Sequence, residues 1–109
     1  MAQANPWAGE VALVIDGQRR VMRLTLGALA ALESRLGAGS LVDLAERFEG
    51  ASFRASDVIA LIEAGLEGGG APMERAALER AEIAGGPMAA ARAAAELLAR
   101  AFMLPEGRA

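Results

Sequence analysis

The chain has 109 residues, 54 % of them hydrophobic, with 14 acidic against 11 basic residues and a net charge of −3. That length suits one small domain with a single core, and the acidic balance lacks the basic stripe of a nucleic-acid binder. Cysteine and histidine are absent, which excludes disulfides, thiolate zinc sites and the commonest general base.

Every basic residue is arginine, and the aromatic residues are only Trp7, Phe48, Phe53 and Phe102. The core is therefore expected to be leucine, isoleucine and valine with closely approaching alanine faces. The first residues, MAQANPWAGE, lack the charged and apolar regions of a signal peptide. The most apolar segment, Met88–Leu104, carries Arg92, Glu96 and Arg100, whereas a membrane span needs about 20 residues with few charges. The expectation is a cytoplasmic protein with neither membrane nor nucleic acid as a partner.

Residues 1–9 read as an irregular arm holding Trp7, a candidate interface anchor. Two β-prone runs then flank Asp16-Gly17, a dipeptide suited to a type I′ turn because both central residues need positive φ. A two-residue turn sets Ile15 opposite Gln18, Leu13 opposite Arg20 and Val11 opposite Met22. One face then gathers Val11, Leu13, Ile15, Met22 and Leu24. The other carries Glu10 opposite Arg23, together with Ala12, Val14 and Val21. A lone hairpin is marginal in water, so the helical remainder must cover it.

Thr25 is a suitable N-cap for a helix through about Leu36, with Leu26, Leu29, Leu32 and Leu36 on its buried side. Ser40 is placed as the cap of a second helix over Leu41–Phe48, in which Leu41, Leu44, Ala45 and Phe48 follow helical spacing. Ser56-Asp57 opens a third, which runs to Gly68, Gly69 and Gly70. A fourth covers about Met73–Ala84, and a fifth runs from Met88 to Met103. In the fifth, Arg92, Glu96 and Arg100 form a solvated stripe, and Ala90, Ala94, Leu97, Ala101 and Leu104 fall opposite. The predicted fold is α+β, an N-terminal β-hairpin packed on a small bundle of four to five α-helices. One domain spans 10–104, followed by a short tail, 105–109.

Candidates for chemistry are few. Gly68–Gly70 follow a helix rather than a strand, and the chain has no lysine, so neither a P-loop nor a dinucleotide fingerprint fits. A glycine there can close a helix C-terminus in the left-handed conformation, and the reading is a structural turn, like Asp16-Gly17. Glu63 and Glu67, at i and i+4, offer too few oxygens for a hard cation. The hydroxyls are Thr25, Ser34, Ser40, Ser52 and Ser56; three of them are assigned as caps, and no histidine or lysine exists to activate any. No enzyme activity and no cofactor or metal is expected. The candidate partner surfaces are the hairpin's outer face (Ala12, Val14, Val21) with an edge strand open to strand addition, and the stripe Ala94, Leu97, Ala101 and Leu104. That stripe is more commonly intramolecular core.

Three segments carry a resemblance: GEVALVIDGQRRVMRLTLGALAALESRLG, SLVDLAERF and DVIALIEAGLEGGG. Together they resemble a small tail protein of alphaproteobacterial gene transfer agents and related siphovirus-like phages. That family is labelled either tail tube protein or tail assembly chaperone. The similarity spans about residues 8–104, and its sharpest marks are the opening GEV strand, Arg23–Glu33 and Ala64–Gly70. These marks concern fold and bring no catalytic site. The resemblance implies a non-enzymatic tail assembly chaperone that contacts the tape measure protein and the major tail tube protein. The alternative it implies is a structural tail component kept in the particle. Self-association is a further expectation.

Overall fold

The structure, a computed structural model, describes residues 9–37 and 39–102. Residues 1–8 of the predicted arm, with Trp7, and Leu104 with the tail 105–109, lie outside the described residues. The elements run β1 (Glu10–Ile15), β2 (Gln18–Arg23), α1 (Leu26–Leu36), α2 (Ser40–Glu49), α3 (Ala55–Gly68), α4 (Arg75–Arg80) and α5 (Gly86–Phe102). An N-terminal hairpin therefore precedes five helices, as the α+β reading expects.

The hairpin has the register that a two-residue turn dictates, with Val11 opposite Met22, Leu13 opposite Arg20 and Ile15 opposite Gln18. Asp16 and Gly17 both have positive φ, 52° and 80°. Period-two alternation then places Val11, Leu13, Ile15, Met22 and Leu24 in the core. Helices α3 and α5 lie beneath this face, α3 against β2 and α5 against β1. The central α3 buries Val58, Ala60, Leu61, Ile62, Ala64, Gly65 and Leu66 along with Asp57.

Capping differs from the expectation at two of three serine or threonine positions. The Thr25 hydroxyl does accept the Ala28 N–H, at 3.0 Å. Ser40, however, is the first residue of α2, preceded by Gly39 in the left-handed conformation, and its hydroxyl has no hydrogen-bond partner. Ser56 lies inside the first turn of α3, where the acceptor is the Asp57 carboxylate, bound by the Arg54 N–H at 2.8 Å. A carboxylate at this position also complements the positive end of the helix.

The buried stripe of α1 runs through Ala28 and Leu32, with Leu29 half-buried. Leu26 and Leu36, the first and last residues of α1, are 84 % and 41 % exposed, against expectation. Helix α4 is also shorter than Met73–Ala84. After Arg80 the chain becomes extended, and Ile83 bridges Ile15 in antiparallel fashion. Glu82 O accepts the Asp16 N–H at 2.8 Å, and the Ala84 N–H donates to Val14 O at 3.1 Å. Residues 82–84 thus strap the outer edge of β1. In α5, Arg92 and Glu96 are exposed as expected, whereas Arg100 is half-buried.

Candidate interaction surfaces

The glycine run closes α3 and does more besides. Gly70, at φ 88°, is the left-handed residue. The Ala71 N–H reaches Leu66 O at 3.0 Å and the Gly70 N–H reaches Glu67 O at 3.2 Å, the paired bonds of a Schellman ending. Gly68 and Gly69 are not left-handed. They lie against the free edge of β2, where an added Cβ would collide with Arg23 O and Val21 O respectively. Gly65, within the same helix, faces Leu97 and Met22; a Cβ there would be 2.8 Å from Leu97 Cδ1 and 3.0 Å from Met22 Cβ. Three glycines therefore give α3 its close seat under the hairpin.

Both hairpin edges are consequently engaged within the chain, β1 along Val14–Asp16 by the strap and β2 at Val21 and Arg23 by the end of α3. The edge that strand addition needs is not open at these positions. On the hairpin's outer face Ala12, Val14 and Val21 are half-buried. Ala12 and Val14 also border a shallow groove whose far side is Ala89, Arg92, Ala93 and Glu96 of α5.

The two halves of the α5 stripe part company. Ala94 and Leu97 are fully buried in the chain's own core, because the absence of a side chain at Gly65 lets α3 approach them. They are not available to a partner in this fold. Ala101 is half-buried. A more apolar hollow was not among the sequence-based candidates. It lies between α2 and α5 and is lined by Ala45, Phe48, Glu49, Ala95, Leu98, Ala99 and Phe102. Its signal in the sequence is Ala95, Leu98, Ala99 and Phe102 at i, i+3, i+4 and i+7, a second apolar stripe of α5 beside the buried one.

The charged clusters are ion pairs. Arg35 contacts Glu63 at 3.0 Å and Glu67 at 3.5 Å, and Arg75 approaches Glu63 at 4.0 Å. A guanidinium therefore occupies the place where the two carboxylates converge. Among the described residues no group of three or more acidic, histidine or cysteine side chains could hold a metal ion. Arg47 of α2 forks onto Asp57, Nε to Oδ2 at 3.0 Å and Nη2 to Oδ1 at 3.1 Å. Burial pushes the Asp57 carboxyl up, but the Arg47 hydrogen bonds, the Arg54 N–H and the neighbouring positive charges outweigh it and hold the group below its ordinary value. The Arg47 guanidinium is raised by its hydrogen bond to Asp57, against a smaller opposing effect of burial. No described helix is long and apolar enough to cross a membrane.

Comparison with known proteins agrees with this surface-dominated picture. A family model described as phage tail tube protein, GTA-gp10, matches residues 8–104, and the chain belongs to that family. No curated protein and no solved structure matches it.

Proposed function

We propose that this member of the phage tail tube protein family is a non-enzymatic component of a phage-like tail, retained in the particle and working through protein–protein contact. The observation that carries the reading is the family match over residues 8–104. The surface is consistent with it: apolar hollows and arginine–carboxylate pairs, with the residues Ser34, Ser52 and Ser56 exposed and no histidine or lysine side chain in the sequence to activate them. Mass spectrometry of purified particles tests it. Presence at a fixed copy number relative to other tail subunits is the expected result, and absence from finished particles overturns it.

A second reading is a tail assembly chaperone that binds the tape measure protein and the major tail tube protein and then leaves. Two observations favour it. Among the described residues the sheet has two strands, both with edges engaged internally, so it is poorly suited to extending a neighbour's sheet. The hollow between α2 and α5 is walled by helices and lined by Phe48, Leu98 and Phe102 among others, which suits a helix-in-groove contact. Co-expression pull-down of the tape measure protein, combined with absence from particles, is the result this reading requires.

A further inference from the structure

The hollow between α2 and α5 carries its charge on one side. On α2, Val42, Ala45, Glu46 and Glu49 recur at i, i+3, i+4 and i+7 and so share a face. Ala45 and Glu49 line the hollow, Val42 is 63 % exposed, and Glu46 and Glu49 are exposed. The α5 side is Ala95, Leu98, Ala99 and Phe102, without a charge. Among the described residues no ion pair reaches Glu46 or Glu49. Arg47, the cation of α2, is engaged by Asp57. Both glutamates also lie in the last turn of α2, which ends at Glu49. There they meet the negative end of the helix dipole, where a cation is the favoured group.

The shape suits a third helix. Small side chains at Ala45, Ala95 and Ala99 let a docked helix approach closely, and Phe48 and Phe102 supply aromatic anchors. Phe48 is held by stacking on Phe53, with centroids 4.6 Å apart, so this wall is formed before a partner arrives. The hollow measures about 290 Å³, room for the apolar side chains of one helix face. A strand is a poorer occupant, since every lining residue belongs to a helix. A second copy of the chain is poorer too. Its net charge is −3, and its helices mix signs at the surface: Glu33 near Arg35 in α1, Glu79 between Arg75 and Arg80 in α4, and Glu96 after Arg92 in α5.

We propose that the hollow takes an amphipathic helix of a second protein whose apolar stripe is flanked by lysine or arginine. Glu46 and Glu49 receive the basic flank, and Phe102 is buried under the stripe. This rests on the protein–protein contact proposed above and adds the chemistry of the partner.

Two fluorescent synthetic helices of about 20 residues, long enough to hold helical structure, test this against the full chain. Both carry the same leucine stripe; one is flanked by lysine and the other by glutamate. In anisotropy titrations at low salt, the lysine helix should bind roughly tenfold tighter than the glutamate helix, and added salt should narrow the difference. Glu46→Gln combined with Glu49→Gln should weaken the lysine helix by about three- to tenfold, the effect of losing two exposed ion pairs. Removing the same charge away from the hollow, by Glu74→Gln with Glu82→Gln, should change binding by less than about twofold. Phe102→Ser should weaken binding by roughly tenfold, as loss of an aromatic anchor does. No binding of the lysine helix, equal binding of the two helices, or equal losses in the two double variants overturns the proposal. A stable dimer in sedimentation that Phe102→Ser disperses also overturns it, because a second copy is then the occupant. The glutamine variants are surface changes, so their comparison decides the matter even where Phe102→Ser does not fold. Copy number in particles is read separately, so failure here and failure of the tail reading are distinguishable.

Discussion

Gly68 and Gly69 lie where any side chain would strike the backbone of β2, and their role is close approach rather than unusual torsion. Gly68→Ala or Gly69→Ala should each cost about 1–3 kcal/mol, the usual penalty for overpacking. Gly70→Ala, which meets open space but sits at φ 88°, should cost about 1–2 kcal/mol through strain alone. Urea denaturation of the three variants checks this, and a cost at Gly70 alone would reduce the run to a simple helix stop. Asp57 is the second residue whose surroundings define its work. Its folded-state carboxyl is held below its ordinary value, so its contribution to stability is complete above the unfolded-state value of about 3.9 and is lost as pH falls through the lower folded-state value. The charged groups that act on it are Arg47 from α2 and Arg54 at the start of α3, and Asp43 acts on Arg47. Asp57→Asn should therefore be less stable than the parent at pH 7 and should flatten the acid limb of a stability-versus-pH curve. An unchanged acid limb would show that the carboxylate contributes nothing through its charge.

Among the elements, the strap at 82–84 has the largest consequence for the hairpin. It turns a marginal two-stranded ribbon into a sheet with one edge partly closed, and Asp16 joins the two functions. Its backbone occupies the left-handed position of the turn, at φ 52°. Its Oδ1 accepts the Glu82 N–H at 2.8 Å, which ties the turn to the strap. Asparagine can serve both roles, because it tolerates that conformation and keeps an acceptor. Alanine serves neither. Asp16→Asn should stay within about 0.5 kcal/mol of the parent, while Asp16→Ala should lose about 1–3 kcal/mol. Thermal melts of the pair check this, and equal melting temperatures would remove the strap from the account of hairpin stability.

For the molecule as a whole, the question is which apolar surface belongs to the core and which is left for partners. Leu97 is inaccessible and packs over Gly65; Leu97→Ala should lower stability by about 2–5 kcal/mol, as large-to-small core changes do. Phe102 is 47 % exposed and lies at the mouth of the hollow against α2. Phe102→Ser should change stability by less than about 1 kcal/mol while weakening whatever binds that hollow. Urea titrations of both variants, alongside pull-down of the neighbouring tail proteins, separate the two roles. A large loss of stability in Phe102→Ser would make the hollow part of the core.

The sequence by itself determined the hairpin, its register, the face it buries, the existence of the helices and the absence of a histidine- or cysteine-based site. Each of these follows from short-range rules: Asp16-Gly17 permits one tight turn, alternation at period two assigns the faces, and helical spacing marks α1, α2, α3 and α5. It also held the family resemblance, spread over most of the chain. The tertiary structure decided what depends on contacts between distant segments. Thr25 could be read as a cap locally, but the cap of α3 is Asp57, whose carboxylate is also fixed by Arg47 from another helix. Residues 81–84 have alanine-rich helical character, and pairing with β1 overrode it because two backbone hydrogen bonds and a buried edge outweigh a fraction of a turn of isolated helix. Ala94 and Leu97 became core, Leu97 against Gly65 of α3, and Leu98 is buried as well, while Phe102 on the same stripe as Leu98 stayed 47 % exposed. Periodicity shows that a helix has two apolar stripes. Only the packing partner decides which of them is covered.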